Sequence, residues 1–469
     1  MKKHEWLKLH LQKHIQQGKL LPGTRLPSIR SLSQQYTLSK NTVIRALSDL
    51  EELQLIHAQP RQGFIVNAHP SSSVVLKPRQ VTLGTTAFSV LGAANEPGNL
   101  ALGSAYPDAR WPTVSWFYRQ QSKQARLWAN KSHRHISHYS TPPGDPLFRS
   151  ALADHLNSTT FACDPHEIVI THGAQEAVSL CLRSVAQPGD TIAVESPCYY
   201  GTLQCIEALG LNVLELPSNP IGGTNLDALT QALQQWEIKA LLTNPSYNNP
   251  LGFSLDLNNR KKLMDIANQW DIAIIEDDVF LELGFNTQRH TPLKALDKEQ
   301  RVLYCGSLSK TMDADIRLGW VLPGRYYDQL NYYKFVTSIS CSALLQQSAA
   351  TLLKGRRYRT HLKTITQHYQ QRCHLLAEDV ERYWPDGVQF IRPKGGLLQW
   401  YELPPSIDSD LLFKEALDEG IGISPGNLFC ADQRFGHHIR LCFSHYTRTE
   451  QQRSAIIKLG KMMNSLQSD

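Results

Sequence analysis

No apolar run in this 469-residue chain approaches the roughly 18 to 20 residues that a membrane helix needs. The opening Met1-Lys2-Lys3-His4-Glu5 leads into an amphipathic pattern instead of an unbroken apolar core, so no leader is expected and the chain is placed in the cytoplasm. No CxxC pair occurs among the nine cysteines, whose number is odd and whose positions scatter from Cys163 to Cys442; this argues against a disulfide framework or a zinc site, and no metal is expected. No internal repeat is apparent. Net charge is also missing from most of the chain. Residues 67–469 hold 38 basic and 38 acidic side chains, whereas residues 1–66 hold ten and four, so the whole +6 lies at the N-terminus. A basic leader on a neutral body suits a polyanion, usually nucleic acid. With 41% apolar and 19% charged residues the chain is ordinary soluble material, too long for a single core.

Leu7, Leu11 and Ile15 recur at spacing four and then meet Gly18 and the Pro22-Gly23 turn, which predicts a first helix of about four turns. Ser28 after Pro27 is a cap for a second helix with Ile29 and Leu32 inward. Ser39-Lys40-Asn41-Thr42 opens a third, whose stripe is Val43, Leu47 and Leu50. Leu55-Ile56-His57 and Phe64-Ile65-Val66 flank Gln59-Pro60-Arg61-Gln62-Gly63, a hairpin with a basic tip. A helix-turn-helix sets the start of its second helix against base edges while flanking cations meet phosphates. The stretches 26–32, 39–47 and 62–66, in this order, resemble the GntR-type winged helix over nearly all of residues 1–66. That resemblance implies double-stranded DNA as partner and Arg30, Lys40, Thr42, Arg45, Arg61 and Gln62 as contacts. Residues 67–97, rich in Pro, Ser and Gly without periodicity, read as a linker; fully extended, its residues would span on the order of 100 Å.

From residue 98 to 469 the pattern is α/β. Ile168-Val169-Ile170, Thr191-Ile192-Ala193-Val194, Ala240-Leu241-Leu242-Thr243, Ile272-Ala273-Ile274-Ile275 and Val302-Leu303-Tyr304-Cys305 suit strands buried on both faces of a mainly parallel sheet. Polar residues follow each run, where such sheets bind ligands. Gly173-Ala174-Gln175 opens a helix whose amides would face an anion. Tyr199 sits on a proline turn, able to stack on a flat ring or simply to pack. Asn249 follows the third run and Glu276-Asp277-Asp278 the fourth, where three buried acids are costly unless something cationic meets them. Ser307-Leu308-Ser309-Lys310, with Arg317 seven residues on, places a lysine in surroundings that make an amine nucleophilic, although a solvated surface lysine would read the same way.

Together these turns provide an amine, a carboxylate, an anion cradle and an aromatic, the set that pyridoxal phosphate requires. Here the sequence resembles the fold-type I aminotransferases, and with the N-terminal module it resembles the MocR-type subgroup of GntR regulators. The resemblance implies pyridoxal 5'-phosphate held as a Schiff base on Lys310, with Asp277 at the pyridine nitrogen, Tyr199 on the ring and Asn249 at its hydroxyl. It places Gly173, Ala174, Gln175, Ser307, Ser309 and Arg317 round the phosphate. Tyr139 would reach the phosphate of a partner subunit, implying a homodimer, and Arg440 would grip the carboxylate of an amino acid. Three positions depart from the pattern. Phe280 stands where many relatives have a tyrosine, Ala105 where glycine is common, and Asp313-Ala314-Asp315-Ile316 lacks the usual proline-glycine before Arg317. These departures disfavour fast transamination and leave binding intact. The expectation is a regulator sensing the cofactor, an amine or an amino acid, with a working aminotransferase as the alternative.

Overall fold

The computed structural model describes residues 3–16, 20, 24–52, 55–59, 63–66, 76–82, 86–130, 139–285 and 290–468. They form two compact bodies, divided between Val75 and Leu76. In the first, helices Lys3–Gln16, Ile29–Gln35 and Lys40–Glu52 precede an antiparallel hairpin, Ile56–Gln59 with Gly63–Val66. Ser28 caps the second helix as expected, its hydroxyl accepting from the Ser31 amide at 3.1 Å. Ser39 does the same for Thr42 at the third, at 3.2 Å. Leu7, Leu11, Leu32, Val43, Leu47 and Leu50 close the core, so the three apolar stripes meet one another. A contact that no local pattern announces widens the hairpin. The backbone around Arg25 runs along its edge, Leu26 donating to Phe64 O at 2.9 Å and Val66 to Thr24 O at 3.0 Å.

The second body is built on a nine-stranded sheet among the described residues. Its centre is parallel, in the order Asn212–Asn219, Thr191–Ser196, Ile238–Thr243, Ala273–Asp277, Val302–Ser307. All five apolar runs of the sequence are strands here. Val169–Thr171 stands apart from the other four, joined to Val302–Ser307 only through the antiparallel Gly319–Leu322. Helices cover both faces, which is why the runs are apolar without alternation. A smaller sheet orders Gln389–Phe390, Leu398–Glu402, His438–Cys442 and Ser424–Pro425, with Arg440 near the middle of its strand.

The linker expected over 67–97 needs correcting at its far end. The described residues from Leu76 onward belong to the second body. Arg79–Gln80 pairs antiparallel with Asn212–Asn219, Val81 is buried, and Thr86–Asn95 is a helix that buries Ala87 and Val90. A two-residue edge strand and a helix anchored by two small residues have too little periodicity to show in sequence; pairing with a preformed edge makes them.

Candidate functional site

Five strands of the large sheet end at one cavity of about 90 Å³, lined among others by Ala174, Gln175, Tyr199, Asn249, Asp277 and Lys310. Ser307, Ser309 and Arg317 also line it, so nine of the expected cofactor residues converge. Gly173 adjoins them. Its φ of +85° starts the helix Ala174–Val185, and a Cβ there would lie 2.7 Å from the Arg317 guanidinium, so only glycine lets that cation sit over the helix N-terminus. Arg317 is fixed by donating to the His172 carbonyl at 3.0 Å.

The remaining positions are set by a scaffold the sequence reading missed. Glu195, buried at the end of its strand, accepts from Thr243 Oγ1 at 2.5 Å, Thr224 Oγ1 at 2.8 Å, Asn248 Nδ2 at 2.7 Å and the Asn244 amide at 3.1 Å. Asn244, a further lining residue, then accepts from the Asn249 amide at 2.8 Å and donates to the Asp277 carbonyl at 2.5 Å. This cross-links the Asn249 loop to the Asp277 strand. Arg260, almost fully buried, is the cation that the triple-acid run requires: it lies 3.8 Å from Glu276 and holds down the pKa of Asp278 against burial. Its only signal was a lone arginine in a helix.

Asp277 keeps one carboxylate oxygen buried without a hydrogen-bond partner among the described residues. Burial, reinforced by Asp278, pushes its pKa up to about 7. Lys310 is shifted the other way, down to about 8, by burial and by the Arg440 cation; its ammonium donates to the Ala105 carbonyl at 2.9 Å. Phe280 also faces the cavity, where a phenol would have added a donor. Arg440 is buried beneath the Asn249 side, donating through Nη1 to Asn249 Oδ1 at 2.8 Å and through Nη2 to the Gly103 carbonyl, and its plane lies over Phe429 at 4.8 Å. Tyr139 is not brought to this cavity; its side chain is 73% exposed.

In the first body Arg30, Lys40 and Arg45 are exposed, as is the apolar Ile44 of the same helix. Thr42 is half-buried and its hydroxyl is shared with Ser39 Oγ at 2.7 Å. Arg61 and Gln62 lie outside the described residues. An added exposed cation, Arg25, reaches within 3.7 Å of where a Gly63 Cβ would stand, at the base of the hairpin.

Residues 106–455 match the family described as aminotransferase class I and II, and residues 4–66 match the bacterial regulatory proteins of the gntR family. The uncharacterized HTH-type transcriptional regulator YjiR of Escherichia coli K12 is 32% identical over 98% of each chain. The probable rhizopine catabolism regulatory protein MocR of Rhizobium meliloti is 25% identical, covering 90% of this chain and 86% of its own. The chain belongs to the MocR-type GntR family. Its second body is similar to an archaeal alanine:glyoxylate aminotransferase, with TM-score 0.74 and 27% identity over 82% of this chain and 96% of that one.

Aminotransferases of this fold use pyridoxal phosphate, and the cavity of this MocR-type chain fits it. The orphaned Asp277 oxygen suits a protonated ring nitrogen, and the Ser309 hydroxyl, also buried and unpartnered among the described residues, suits a phosphate oxygen. The Gly173 turn lets the Arg317 guanidinium lie against the N-terminus of the helix Ala174–Val185, and a cation and a helix N-terminus together suit an anion.

Proposed function

We propose that this chain is a cytoplasmic DNA-binding transcription regulator whose aminotransferase-like body carries pyridoxal phosphate on Lys310 and responds to an amine or amino acid. The observation that carries the reading is the convergence of Asp277, Lys310 and seven more of the expected cofactor residues on one cavity, in a chain that also exposes Lys40 and Arg45 on the third helix of its first body. Bound there, the cofactor would supply an electrophilic carbon to an incoming amine. Lys310, with its ammonium pKa drawn down to about 8, reaches its neutral, nucleophilic form near physiological pH. Asp277 would hold the ring nitrogen's proton, and Tyr199 would cover the ring. Gly173, Ala174, Gln175, Ser307, Ser309 and Arg317 would hold the phosphate, completed by Tyr139 from a partner subunit in a homodimer. Arg440 would take an effector carboxylate by exchanging its bond to Asn249. Arg30, Lys40, Thr42, Arg45, Arg61 and Gln62 would contact DNA.

The experiment uses purified full-length protein, pyridoxal phosphate and duplexes selected from a random library. A visible band, its covalent trapping by borohydride on Lys310, and a change in duplex affinity when an amino acid alters that band are expected. Trapping on Lys294 or Lys261, or duplex affinity indifferent to every amine that alters the band, would overturn the reading.

A further inference from the structure

A second and larger cavity, of about 390 Å³, lies between the helix Arg356–Tyr383, the turn Leu281–Leu283 after the Asp277 strand, and the end of the helix Pro146–Thr159. Its volume is in the range of small-molecule sites. Arg359 and Lys363 stand one helical turn apart on its rim, both exposed, and neither has a carboxylate partner among the described residues. Leu281, Leu362, Phe285 and Tyr247 give it an apolar wall. Two unpaired cations above an apolar wall call for a ligand with an anionic head and an apolar body.

The cavity floor connects to Lys310. His155 Nε2 lies 2.7 Å from Glu282 Oε1, and Glu282 Oε2 accepts from the Tyr358 hydroxyl at 2.8 Å. The same hydroxyl is 2.8 Å from Thr311 Oγ1, on the residue after Lys310, and the Thr311 carbonyl is 2.7 Å from His361 Nε2. Tyr358 and Thr311 are buried, so the part of this chain next to Lys310 is shielded from water, where hydrogen bonds couple strongly, while Glu282 meets the cavity. A second connection runs through Tyr247. It lines this cavity, is held at φ +50° in the loop that carries Asn249, and fills space where Cβ atoms on Gly284 and Gly395 would lie 2.2 and 2.5 Å from its ring or hydroxyl.

We infer that this cavity is a second ligand site, for a small organic anion with an apolar body, whose occupancy is relayed to the Lys310 turn through Glu282, Tyr358 and Thr311. The relay rests on the cofactor reading; the site does not. Calorimetry on the full-length protein with 3-phenylpropanoate and phenyl phosphate tests the site and separates a carboxylate from a phosphate ester. At least one probe is expected to bind, with inorganic phosphate and benzyl alcohol at least tenfold weaker. Arg359→Ala/Lys363→Ala, both at exposed positions, is expected to weaken the probe at least tenfold, and Lys310→Ala to retain binding with a change of less than tenfold, since a relay couples the two sites reciprocally. No binding by either probe, equal affinity in the rim variant, or loss in Lys310→Ala would overturn the site. The relay is read from the pH midpoint of the visible band with and without probe. It is expected to move in the wild type and not in Tyr358→Phe, which keeps the ring and removes the connecting hydroxyl. Equal shifts in both proteins would overturn the relay, and absence of any band would remove the cofactor reading together with the relay while calorimetry still decides the site.

Discussion

Lys310 is an amine withdrawn from water beside a second cation, and both effects favour its neutral form. Capture of pyridoxal phosphate by the cofactor-free protein should therefore accelerate as pH rises through about 8, well below an ordinary lysine. Because Arg440 contributes to the depression, Arg440→Met should move that midpoint upward; stopped-flow absorbance at a series of pH values measures both. An unmoved midpoint would mean that burial alone sets the amine. Gly173 makes a different kind of demand. Its φ of +85° and ψ of 176° belong to backbone that essentially only glycine adopts, at a cost of about 1–3 kcal/mol for another residue. Gly173→Ala should destabilise the body by roughly that much and displace Arg317, weakening cofactor affinity more than Ala174→Ser does. Thermal unfolding and cofactor titration of the two variants make the comparison. Gly173, Lys310 and Asp277 were legible in sequence only through the five strand-end turns taken together, since a solvated surface lysine reads the same way as Lys310 alone.

Two helices that look unrelated in sequence are locked together beside the Gly173 turn. Lys334, buried on Tyr327–Ser338, donates to Glu176 Oε2 at 2.8 Å on Ala174–Val185, and the same carboxylate oxygen accepts from the His172 amide at 2.6 Å. Removing one member of a buried pair leaves the other uncompensated, at about 3–5 kcal/mol. Lys334→Ala should lower the denaturation midpoint accordingly, somewhat less than the full range because Glu176 is partly exposed, while Lys334→Met/Glu176→Leu should recover most of the loss. A double variant no better than the single would show that the helices are not held by this pair. His172 is raised to about 9 by its contacts with Cys341 and Glu176, and this exceeds the opposing effect of burial. Its contribution to stability is thus complete below about pH 6.5 and lost as pH climbs through 9. Burial of Glu176 opposes ionisation, yet hydrogen bonds from His172 and Lys334 bring it down to about 2, so its contribution is complete above about pH 4.5 and lost as pH falls toward 2. Stability from this cluster should be greatest between those limits, as a series of denaturant melts against pH would show. In the winged helix, Arg45 is exposed on Lys40–Glu52, and Arg45→Ala should weaken duplex binding and reduce its salt slope by about one, leaving the visible band intact. Fluorescence anisotropy across salt concentration measures the slope.

Signalling at the scale of the whole chain requires that an effector bind one arrangement of the protein better than another. Arg440 belongs to the strand His438–Cys442 of the smaller sheet, whereas Asn249, which its fork holds, belongs to a loop of the larger one. A carboxylate that displaced Asn249 from the fork would change how the two sheets are tied. Arg440→Lys, which keeps the charge but loses the planar fork, should retain the visible band and basal duplex affinity and lose the effector-induced change in that affinity. Duplex affinity with and without the amino acid, for wild type and variant, decides; an equal change in both would leave an effector lacking a carboxylate, or the cofactor itself, as the signal.

The sequence by itself determined the helix stripes of the first body, the basic charge confined to it, and the five apolar strands with the polar residues at their ends. Those features are local: periodicity, caps and strand-end chemistry are properties of a few consecutive residues. Only the tertiary structure decided where residues distant in the chain meet. Arg260 reaches Glu276, Glu195 organises the Asn244–Asn249 loop, Lys334 finds Glu176, and Arg79–Gln80 and the helix Thr86–Asn95 join the body instead of extending a linker. Each is a polar or edge contact whose value depends on desolvation by the surrounding fold, and a buried ion pair or a two-residue strand has no local pattern until the groups that bury it are in place.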